Sequence, residues 1–527
     1  MSSETTADDI VQLGAAELAR QIAAGKMSAT EVVEAHINRI EQVDPKLNAV
    51  VVRCFARARR DAAFADKAQA HGDVLDPLHG VPVTIKECFY VGGTDATVGV
   101  DRLCGRASAH DSPLVMELRD AGAIVLGKTN VPQLMLMHET DNPVYGRTNN
   151  PWNLDRSPGG SSGGEAAIIA AYGSPLGLGT DLGGSIRQPA HSCGIAGFKP
   201  TSGRPPLSGC VENFPGLLAM EVQPGLLARR VEDLALAMRV LTVPEQAYPN
   251  FGPGPHYAWD DPAEIDVGRL RVGVWEDDGW FTPSPAIRRA VREAAAVLQS
   301  EGAEIEPFAP PEIPLMMQLY SSVLTSDGGA SLRRLMGAGR RDWRVRQMLL
   351  ISRLPRWLRP PTSAMLRGLG QVRMARTIDF TGPRSADAYR TLGGELIRYA
   401  ERFHKYVFDR RLDVLLFPVH GLPAITHGGA PFSLSPASYS FLANALGAPA
   451  GSLPVTRVRA GEECDRPDSV DRIDRGAKQI EQHSAGLPIG VQVMAGPWGD
   501  EMVLAVMDAL ETHFAEQPDY PRLALSP

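Results

Sequence analysis

Two serines lie in glycine-rich surroundings that suit nucleophilic catalysis. Ser161 lies in SPGGSSGGE, and Ser185 lies 24 residues further along in GTDLGGSIRQP. Glycine adopts backbone angles closed to other residues and lets a substrate carbonyl approach main-chain N–H groups. The turn that bears Ser185 would form an oxyanion hole from its N–H groups, those of Leu182, Gly183, Gly184 and Ser185. A plain glycine linker is the alternative, but a linker does not lie between apolar, strand-like runs.

The candidate base for these serines is a lysine. A seryl hydroxyl is a poor nucleophile without an adjacent base, and no histidine lies in a recognisable base motif. Lys86 ends the apolar run of GVPVTIKE, at 80–87. Burial at the end of a strand lowers the pKa of a lysine, so its neutral amine accepts a proton near pH 7. A solvated surface charge is the ordinary alternative for a single lysine, and the assignment depends on the motifs around it.

Two further motifs imitate catalytic signatures. GAIVLGKT, at 122–129, satisfies the P-loop pattern, but its Ala-Ile-Val-Leu spacer itself resembles a strand. We therefore expect no nucleotide site there. The run at 160–164 fits GxSxG and would nominate Ser162, yet the preceding residues 149–158 are polar and loop-like, whereas a nucleophile elbow follows a strand.

The elements that must position these residues indicate an α/β fold. Short apolar runs bounded by Gly, Pro or Asp predict strands, at 81–85, 123–126, 176–179, 270–274, 414–417 and 488–494. Helical patterns lie between them, at 231–241 and 285–298. Strands mixed with helices throughout the chain favour a layered α/β architecture over segregated elements.

Domain organisation is expected to be simple. Residues 1–75 form an N-terminal helical region, in which Ser28 and Glu31 make a capping-box pattern. Residues 76–527 form a single large α/β core. Within this core we expect an Arg-rich helical lid or cap at 333–376, an exposed excursion at 461–483 and a long surface loop at Tyr248–Pro262.

Composition excludes several classes of protein. The 527 residues are 44% hydrophobic and 22% charged, as in a globular enzyme. The net charge of −8 argues against a nucleic-acid binder. Six cysteines without a CxxC pair predict neither a disulfide framework nor a metal site. The polar N-terminus and the lack of an 18-residue apolar run lead us to expect a cytoplasmic enzyme.

Several motifs together resemble the amidase signature family. They cover most of the chain: GVPVTIKE, NNPWN with SPGGSSGGE, GTDLGGSIRQP, CGIAGFKPT and, more weakly, AGLPIGVQVMAGPW. The chain looks most like the fatty-acid amide hydrolase branch and is also similar to bacterial amidases and amidase-type urethanases. The resemblance implies a large mixed β-sheet core covered by helices on both faces.

The resemblance also implies the role of each site residue. Ser185 would be the nucleophile, Ser161 the bridging serine and Lys86 the base, with a cis Gly160–Ser161 peptide. Asp181 and Arg187 resemble a pair that supports the nucleophile turn. A stretch that borders the family's acyl pocket would supply apolar substrate contacts, from Met135, Leu136 and Met137, although ordinary core packing explains these three equally well.

The Arg-rich segment 333–376 stands apart in composition. It contains twelve arginines and one acidic residue, Asp342, interleaved with apolar residues such as Leu350 and Trp357. Such a stretch suits peripheral contact with an anionic membrane. The alternative is a lid whose apolar face packs on the body of the protein.

Taken together, the motifs predict a serine hydrolase of amide or carbamate C–N bonds that forms an acyl- or carbamoyl-enzyme. We expect small hydrophobic aryl or alkyl substrates, some esterase activity, no metal or cofactor, and a monomer or homodimer. An amidotransferase A-like subunit that acts with partner chains is an alternative, because such subunits share this core. A non-catalytic scaffold is a third, disfavoured by the intact Lys86, Ser161 and Ser185.

Overall fold

The computed structural model describes residues 6–242 and 259–525. The predicted loop Tyr248–Pro262 lies mostly outside these ranges. Within them, the strands form one large mixed sheet and one small ribbon. The ribbon consists of β4 (Asp141–Asn142) and β5 (Gly146–Arg147). The large sheet contains β1 (Val50–Arg53), β2 (Pro82–Lys86), β3 (Ile124–Thr129), β6 (Leu176–Asp181), β7 (Ala196–Lys199), β8 (Gln223–Ala228), β9 (Arg271–Val274), β10 (Glu304–Pro307), β11 (Val414–Pro418), β12 (Ala450–Arg457) and β13 (Pro488–Ala495).

Helices surround the sheet and account for much of the described chain. Before β10 they are α1 (Ala7–Gln12), α2 (Ala15–Ala23), α3 (Ala29–Leu47), α4 (Phe55–His71), α5 (Pro113–Asp120), α6 (Gly163–Ala170), α7 (Arg187–Cys193), α8 (Val231–Leu241) and α9 (Pro285–Ser300). After β10 they are α10 (Ile313–Leu324), α11 (Ala330–Met336), α12 (Trp343–Ser352), α13 (Arg359–Gly368), α14 (Val372–Phe380), α15 (Ala386–Asp409), α16 (Ser438–Ala445), α17 (Arg472–Glu481) and α18 (Asp500–Phe514).

Strand order determines where the chemistry-bearing residues meet. The sheet runs β1-β3-β2-β6-β8-β7-β12-β13-β11-β9-β10. Within it β3, β2 and β6 are parallel neighbours, so their carboxyl ends lie at one edge of the sheet. Ile85 of β2 is level with Leu178 of β6. The last residue of β2, Lys86, therefore lies beside the end of β6, directly before the turn that bears Ser185.

Both faces of the sheet are buried under helices. In β3, Val125 packs into one hydrophobic cluster, whereas its neighbours Ile124 and Leu126 pack into another. Because successive strand side chains point to opposite faces, the two clusters are the two sides of the sheet. Helices α8, α9 and α18 contribute to the first cluster, and α3, α4 and α6 to the second. The predicted α/β fold, with a mixed sheet covered on both faces, is confirmed.

The N-terminal region differs in one element from its prediction. Four helices occupy most of residues 7–71, and the Ser28–Glu31 capping box is formed. Between α3 and α4, however, β1 adds to the sheet edge antiparallel to β3, with Val50 opposite Thr129. Four residues, Val-Val-Val-Arg, between two long helices carry too weak a pattern to predict a strand.

The charged segment 461–483 is exposed only in its first half. The second half contains α17, which buries Ile473, Ala477 and Ile480 against the body of the protein. The buried carboxylate of Glu481 is paired with Arg466 at 2.5 Å. The prediction of an exposed excursion is wrong for this half, because charged residues on one helical face conceal an apolar face on the other.

Residues 313–409, between β10 and β11, form a helical cap. It contains α10 to α15 and packs through a third, aromatic-rich cluster that includes Tyr320, Tyr399 and Phe441. The predicted Arg-rich segment lies in α11 to α14 of this cap. No helix in the described ranges has the length and apolar character needed to cross a bilayer.

Candidate active site

Ser185 lies on a tight turn between β6 and α7. It borders a cavity of about 260 Å³ and is partly exposed to it. The preceding Gly184 has a φ of +90°, and a Cβ at this position would overlap the side chain of Ser440. Glycine is therefore required for both backbone angle and space, and the sharp turn presents the Ser185 hydroxyl to the cavity.

Lys86 is completely buried at the end of β2. Its Nζ lies 2.7 Å from Ser161 Oγ, 2.8 Å from Thr180 Oγ1 and 3.2 Å from the Thr180 carbonyl oxygen. Burial lowers the pKa of Lys86 to about 8. In the neutral amine, the two N–H groups would donate to the two oxygens of Thr180 and the lone pair would face the Ser161 hydroxyl. The geometry suits a proton acceptor.

Ser161 lies on the glycine-rich loop before α6. The Gly160–Ser161 peptide bond is cis, as the resemblance implies. A Cβ on Gly160 would overlap the Met137 carbonyl oxygen and lie 3.1 Å from the Glu139 backbone nitrogen, so the loop passes too close to another backbone for any other residue. Ser161 is 2% exposed, so its hydroxyl lies inside the protein in contact with the Lys86 amine.

The loop and the turn are joined through their backbones. The Ser162 N–H donates to the Ser185 carbonyl oxygen at 3.0 Å. Within the described residues, no hydrogen bond joins the Ser161 and Ser185 hydroxyls. The Lys86–Ser161 contact is thus formed, whereas proton transfer between Ser161 and Ser185 requires their hydroxyls to come within hydrogen-bond distance.

The proposed oxyanion hole is altered at one position. The Gly184 N–H donates to Asp181 Oδ1 at 2.7 Å and is therefore already engaged. This corrects the expectation that all four amides face the substrate. The amides that lack an acceptor among the described residues belong to Leu182, Gly183 and Ser185.

Asp181 and Arg187 form a buried pair beneath the turn. Both side chains are fully buried, and Arg187 Nη2 and Nε donate to Asp181 at 2.9 and 3.0 Å. Arg187 Nη2 and Nη1 also donate to Asn444 Oδ1 and Gln492 Oε1, both at 2.7 Å. Burial alone would raise the pKa of Asp181. The pKa is nevertheless far below its ordinary value, because Arg187 and the hydrogen bonds that Asp181 accepts stabilise the carboxylate. The Asp181 carboxylate thus pairs with Arg187 and accepts backbone hydrogen bonds from the turn.

Glu165, on α6, is a second buried carboxyl near Lys86. It accepts hydrogen bonds from Thr84 Oγ1 at 2.6 Å and Thr129 Oγ1 at 2.8 Å. Burial raises the pKa of Glu165 to about 8. A largely protonated Glu165 does little to hold Lys86 in its charged form.

The cavity beside Ser185 is mainly apolar. Met135, Leu136 and Met137 line it, opposite Leu324 and Phe441. Helices α12 and α14 also line it with residues of the Arg-rich segment, including Met348, Ile351 and Met374. The cap therefore has an inner, apolar side that belongs to the cavity.

The P-loop-like run at 122–129 and the GxSxG run at 160–164 lie in structural contexts that suit neither a nucleotide site nor a nucleophile elbow. The spacer of GAIVLGKT is the buried strand β3, and Lys128 donates its Nζ hydrogen bond to the Asp95 carbonyl oxygen. Ser162 is fully buried and does not line the cavity, and its Oγ donates to the Thr180 carbonyl oxygen at 3.4 Å. Neither residue is in a position to act on a ligand.

Sequence reasoning missed three residues that contact the site. Thr180 holds the Lys86 amine and is adjacent to the recognised LGGS turn, so its position in GTDLGGS was a usable signal. His138 and Tyr320 donate to the carbonyl oxygens of Gly183 and Leu182. Neither carries a local signal, because each approaches from a separate part of the chain.

Comparison with known proteins agrees with this geometry. The family model described as Amidase matches residues 31–504. Fatty-acid amide hydrolase 1 of Sus scrofa is 36% identical over 94% of this chain and 84% of its own length. The A subunit of glutamyl-tRNA(Gln) amidotransferase from Cutibacterium acnes is 31% identical over 99% of both chains.

The same relationship appears in three dimensions. A solved structure of fatty acid amide hydrolase superposes with a TM-score of 0.81 and 25% identity, covering 97% of this chain and 86% of that one. Sequence family, fold and relatives thus point the same way. The chain belongs to the amidase signature family, whose enzymes cleave amide C–N bonds.

Proposed function

We propose that this protein hydrolyses amide or carbamate C–N bonds in uncharged, hydrophobic molecules through Ser185, Ser161 and Lys86. The observation that carries the proposal is the 2.7 Å contact between the fully buried Lys86 amine and Ser161 Oγ. This pair lies beside the glycine turn that presents Ser185 to a cavity. A buried amine of lowered pKa is a competent base at neutral pH, which a solvated lysine is not.

The first half-reaction forms the covalent intermediate. Neutral Lys86 takes the proton of Ser161 while Ser161 takes that of Ser185, and Ser185 Oγ adds to the substrate carbonyl carbon. The carbonyl oxygen becomes an oxyanion that accepts hydrogen bonds from free amides of the turn. The proton on Lys86 then returns through Ser161 to the leaving nitrogen, the C–N bond breaks, and an acyl- or carbamoyl-enzyme remains.

Hydrolysis of the intermediate repeats these steps with water. Water replaces the amine, gives its proton through Ser161 to Lys86, and attacks the acyl carbon. The second tetrahedral species collapses, the Ser185–carbon bond breaks, and the proton returns to Ser185 Oγ. Every proton taken by Lys86 is returned within the cycle, so the chemistry balances without a further reactant.

The cavity supports uncharged, hydrophobic substrates. Its two charged side chains are both already engaged by the protein, Arg344 by carboxylates and Asp327 by backbone N–H groups. Arg344 pairs with Glu139 and Asp342, each at 2.6 Å, and Asp327 accepts the backbone N–H of Gly329 at 2.7 Å. An anionic substrate tail would lose its hydration without gaining a free cationic partner, because Arg344 is already paired. An alkyl or aryl group replaces water at an apolar wall.

A hydrolysis panel tests this proposal. Purified protein is assayed on an aryl amide, an aryl carbamate and an ester with the same acyl group, and on acetamide. We expect turnover of the hydrophobic amide or carbamate, and loss of turnover in Ser185→Ala with retention in the matched Ser162→Ala. Faster hydrolysis of acetamide than of the hydrophobic substrates, or an active Ser185→Ala enzyme, would contradict the proposal.

Charge selectivity provides a sharper version of the same test. An anilide with a terminal methyl group is compared with the analogue that carries a terminal carboxylate. The neutral compound should have a kcat/KM at least about tenfold higher, since one uncompensated buried charge costs more than about 1.4 kcal/mol. Equal values would show that the acyl group does not occupy the apolar cavity.

An amidotransferase A-like subunit is the second candidate. It is favoured by the end-to-end match with the Cutibacterium acnes protein, which covers 99% of both chains. Such a protein would act with partner chains and pass the released ammonia to them, while water releases the acyl group from Ser185 as the acid. Steady hydrolysis by the isolated chain, without stimulation by added ammonia acceptors, separates the hydrolase from this alternative.

We also propose that the outer side of the cap contacts anionic membranes. Leu350 and Trp357 are each 74% exposed, and the neighbouring Arg346, Arg353 and Arg356 are exposed as well. Apolar side chains surrounded by arginine suit a headgroup boundary. Co-sedimentation with vesicles that contain phosphatidylserine should fall in Trp357→Ser but not in Phe64→Ser, a residue 75% exposed on α4. Absence of binding to anionic vesicles would leave the cap as a lid alone.

A further inference from the structure

The peptide carbonyl oxygens of the turn that bears Ser185 all accept hydrogen bonds from the surrounding protein. Four consecutive carbonyl oxygens, from Asp181 to Gly184, each accept a hydrogen bond, the first three from distant parts of the chain and the fourth from the start of α7. The donors are Asn444 Nδ2 at 3.2 Å, Tyr320 Oη at 2.9 Å, His138 Nε2 at 2.9 Å and the Gln188 N–H at 2.7 Å, in that order. His138 must carry its proton on Nε2, because a carbonyl oxygen only accepts.

Holding a carbonyl also sets the direction of the next amide. A peptide unit is planar, and in its trans form the C=O and N–H point to opposite sides. The Leu182–Gly183 unit is fixed by Tyr320 at its oxygen, while its N–H has no acceptor in the described chain. In contrast, the Gly183–Gly184 unit is fixed at both ends, by His138 and by the Asp181 carboxylate. The turn therefore separates amides that are structural from amides that are free.

The ring of Tyr320 also packs against the turn, in addition to the hydrogen bond that its hydroxyl donates. Its ring stacks on Phe441, with centroids 4.4 Å apart and planes 11° from parallel. A Cβ on Gly183 would lie 2.6 Å from the Tyr320 hydroxyl oxygen and 2.9 Å from Phe441. The glycine, the tyrosine and the phenylalanine form one close contact that any other residue at 183 would displace.

We propose that Tyr320 is a positioning residue that aims the Gly183 amide at the oxyanion of the transition state. This inference rests on the proposed hydrolase function and adds a residue to it. Tyr320 lies on α10, the first helix of the cap, and Ser321 and Leu324 of the same helix line the cavity. A substrate in the cavity thus contacts the helix that orients the catalytic amide.

The test removes the hydroxyl and keeps the ring. Tyr320→Phe is compared with Tyr399→Phe, a matched control in which a buried tyrosine donates to the Pro311 carbonyl oxygen at 3.0 Å away from the turn. We expect kcat to fall about tenfold or more in Tyr320→Phe with KM within about twofold, because the complete loss of an oxyanion donor costs about 100- to 1000-fold. Tyr399→Phe should keep the kcat of the wild type.

Inhibitor binding separates aiming from packing. A hydrophobic trifluoromethyl ketone adds to Ser185 and forms an oxyanion, whereas the corresponding secondary alcohol cannot. In Tyr320→Phe the Ki of the ketone should rise by the same factor by which kcat falls, and the Ki of the alcohol should not change. Unchanged kcat, or equal weakening of ketone and alcohol, would overturn the proposal.

Two further measurements keep the result interpretable. If Tyr320→Phe folds poorly, 4-aminophenylalanine at position 320 restores a donor of similar shape and should recover most of the lost kcat; failure to do so in a folded protein overturns the proposal. The Ser185→Ala variant separates the proposed hydrolase function from the proposed role of Tyr320. Turnover that does not depend on Ser185 refutes the hydrolase itself, whereas Ser185-dependent turnover with an unaffected Tyr320→Phe refutes only the role of Tyr320.

Discussion

Lys86 should impose a characteristic pH dependence on the reaction. Burial lowers its pKa to about 8, and only the neutral amine accepts a proton, so roughly one molecule in ten is active at pH 7. We expect kcat/KM to rise about tenfold per pH unit up to pH 8 and then to level off. A pH–rate profile between pH 6 and 9.5 on an aryl amide measures this limb.

Glu165 provides the control for that assignment, because its pKa is also raised to about 8. Glu165→Gln should keep the limb and move it to slightly lower pH, since the carboxylate raises the pKa of Lys86. Lys86→Ala should lose both the limb and most of the activity, at least about 100-fold, as expected for loss of a general base. A flat wild-type profile, or a limb that disappears in Glu165→Gln, would contradict the role of Lys86.

Ser161 should matter more for amides than for esters. In the proposed mechanism it passes the proton to the leaving group, and an amine leaves only when protonated, whereas an alkoxide or phenolate leaves more easily. We expect Ser161→Ala to lower kcat/KM for an amide about 100-fold or more beyond its effect on the ester with the same acyl group. Parallel assays on the two substrates measure the difference, with Ser162→Ala as control. Equal losses for both would show that Ser161 does not deliver that proton.

The contacts among the predicted site residues could be anticipated from the sequence only in part. Lys86 and Ser161 could be paired because both lie in recognisable motifs, and the structure places them 2.7 Å apart. The engagement of the Gly184 amide by Asp181 could not be predicted, because it depends on the direction of single peptide units. The contact of Tyr320 could not be predicted for a different reason, because Tyr320 lies 138 residues along the chain from Leu182.

At the scale of elements, a buried ion pair joins α12 to the body of the protein. Arg344, 4% exposed, donates to both oxygens of the fully buried Glu139, at 2.6 and 3.1 Å. Arg344→Met leaves the Glu139 charge buried without its partner, which typically costs about 3–5 kcal/mol. We expect a loss of that order in the free energy of unfolding, measured by urea denaturation.

The matched control for Arg344 lies two residues further along the same helix. Arg346 is exposed, and its side chain has no hydrogen bond or ion pair within the described residues. Arg346→Met should change the free energy of unfolding by less than about 0.5 kcal/mol. Similar values for the two variants would mean that α12 is anchored by its apolar residues and not by the Glu139 pair.

Burial alone did not make a strand predictable, because β8 and β12 are buried and were not predicted: Gly, Pro and polar residues interrupt their apolar runs. Strands such as β2 and β11 are continuous apolar runs inside the sheet, and these were located within a few residues. The edge strand β1 was missed because only Val50 of its four residues is fully buried, so it has neither a buried run nor alternation. Helix α17 was missed because its apolar face consists of three spaced residues in a charged segment. In both cases tertiary contact, and not local pattern, determines the element.

At the scale of the whole molecule, the sheet interleaves distant parts of the chain. Strands β12 and β13, from the C-terminal part, pair with each other between β7 and β11. Arg187 connects the same regions, because it contacts Asp181 at the end of β6, Asn444 on α16 and Gln492 on β13. The turn that bears Ser185 is therefore supported by segments about 300 residues apart, and its geometry requires the complete sheet.

The N-terminal region provides the test of this unity. Residues 1–75 and 76–527 were predicted as separate regions, and their junction at 72–77 is an exposed, irregular linker in which Val74 is 97% exposed. Yet β1 pairs with β3, and Ile37 and Ala58 of α3 and α4 pack with Leu126 and Ile168 beneath the sheet. Removing residues 1–75 would uncover this apolar face and the backbone edge of β3.

We therefore expect residues 76–527 expressed alone to be aggregated and inactive, because an exposed apolar sheet edge associates with other chains. A protease site inserted at Val74 gives the matched control: after cleavage, the two fragments should remain together in size-exclusion chromatography and retain activity, since the packing that joins them is intact. Solubility and turnover of an aryl amide measure both forms. A soluble, active 76–527 fragment would show that the N-terminal region is an appendage, whereas loss of activity on cleavage alone would show that chain continuity, and not packing, holds β1 in place.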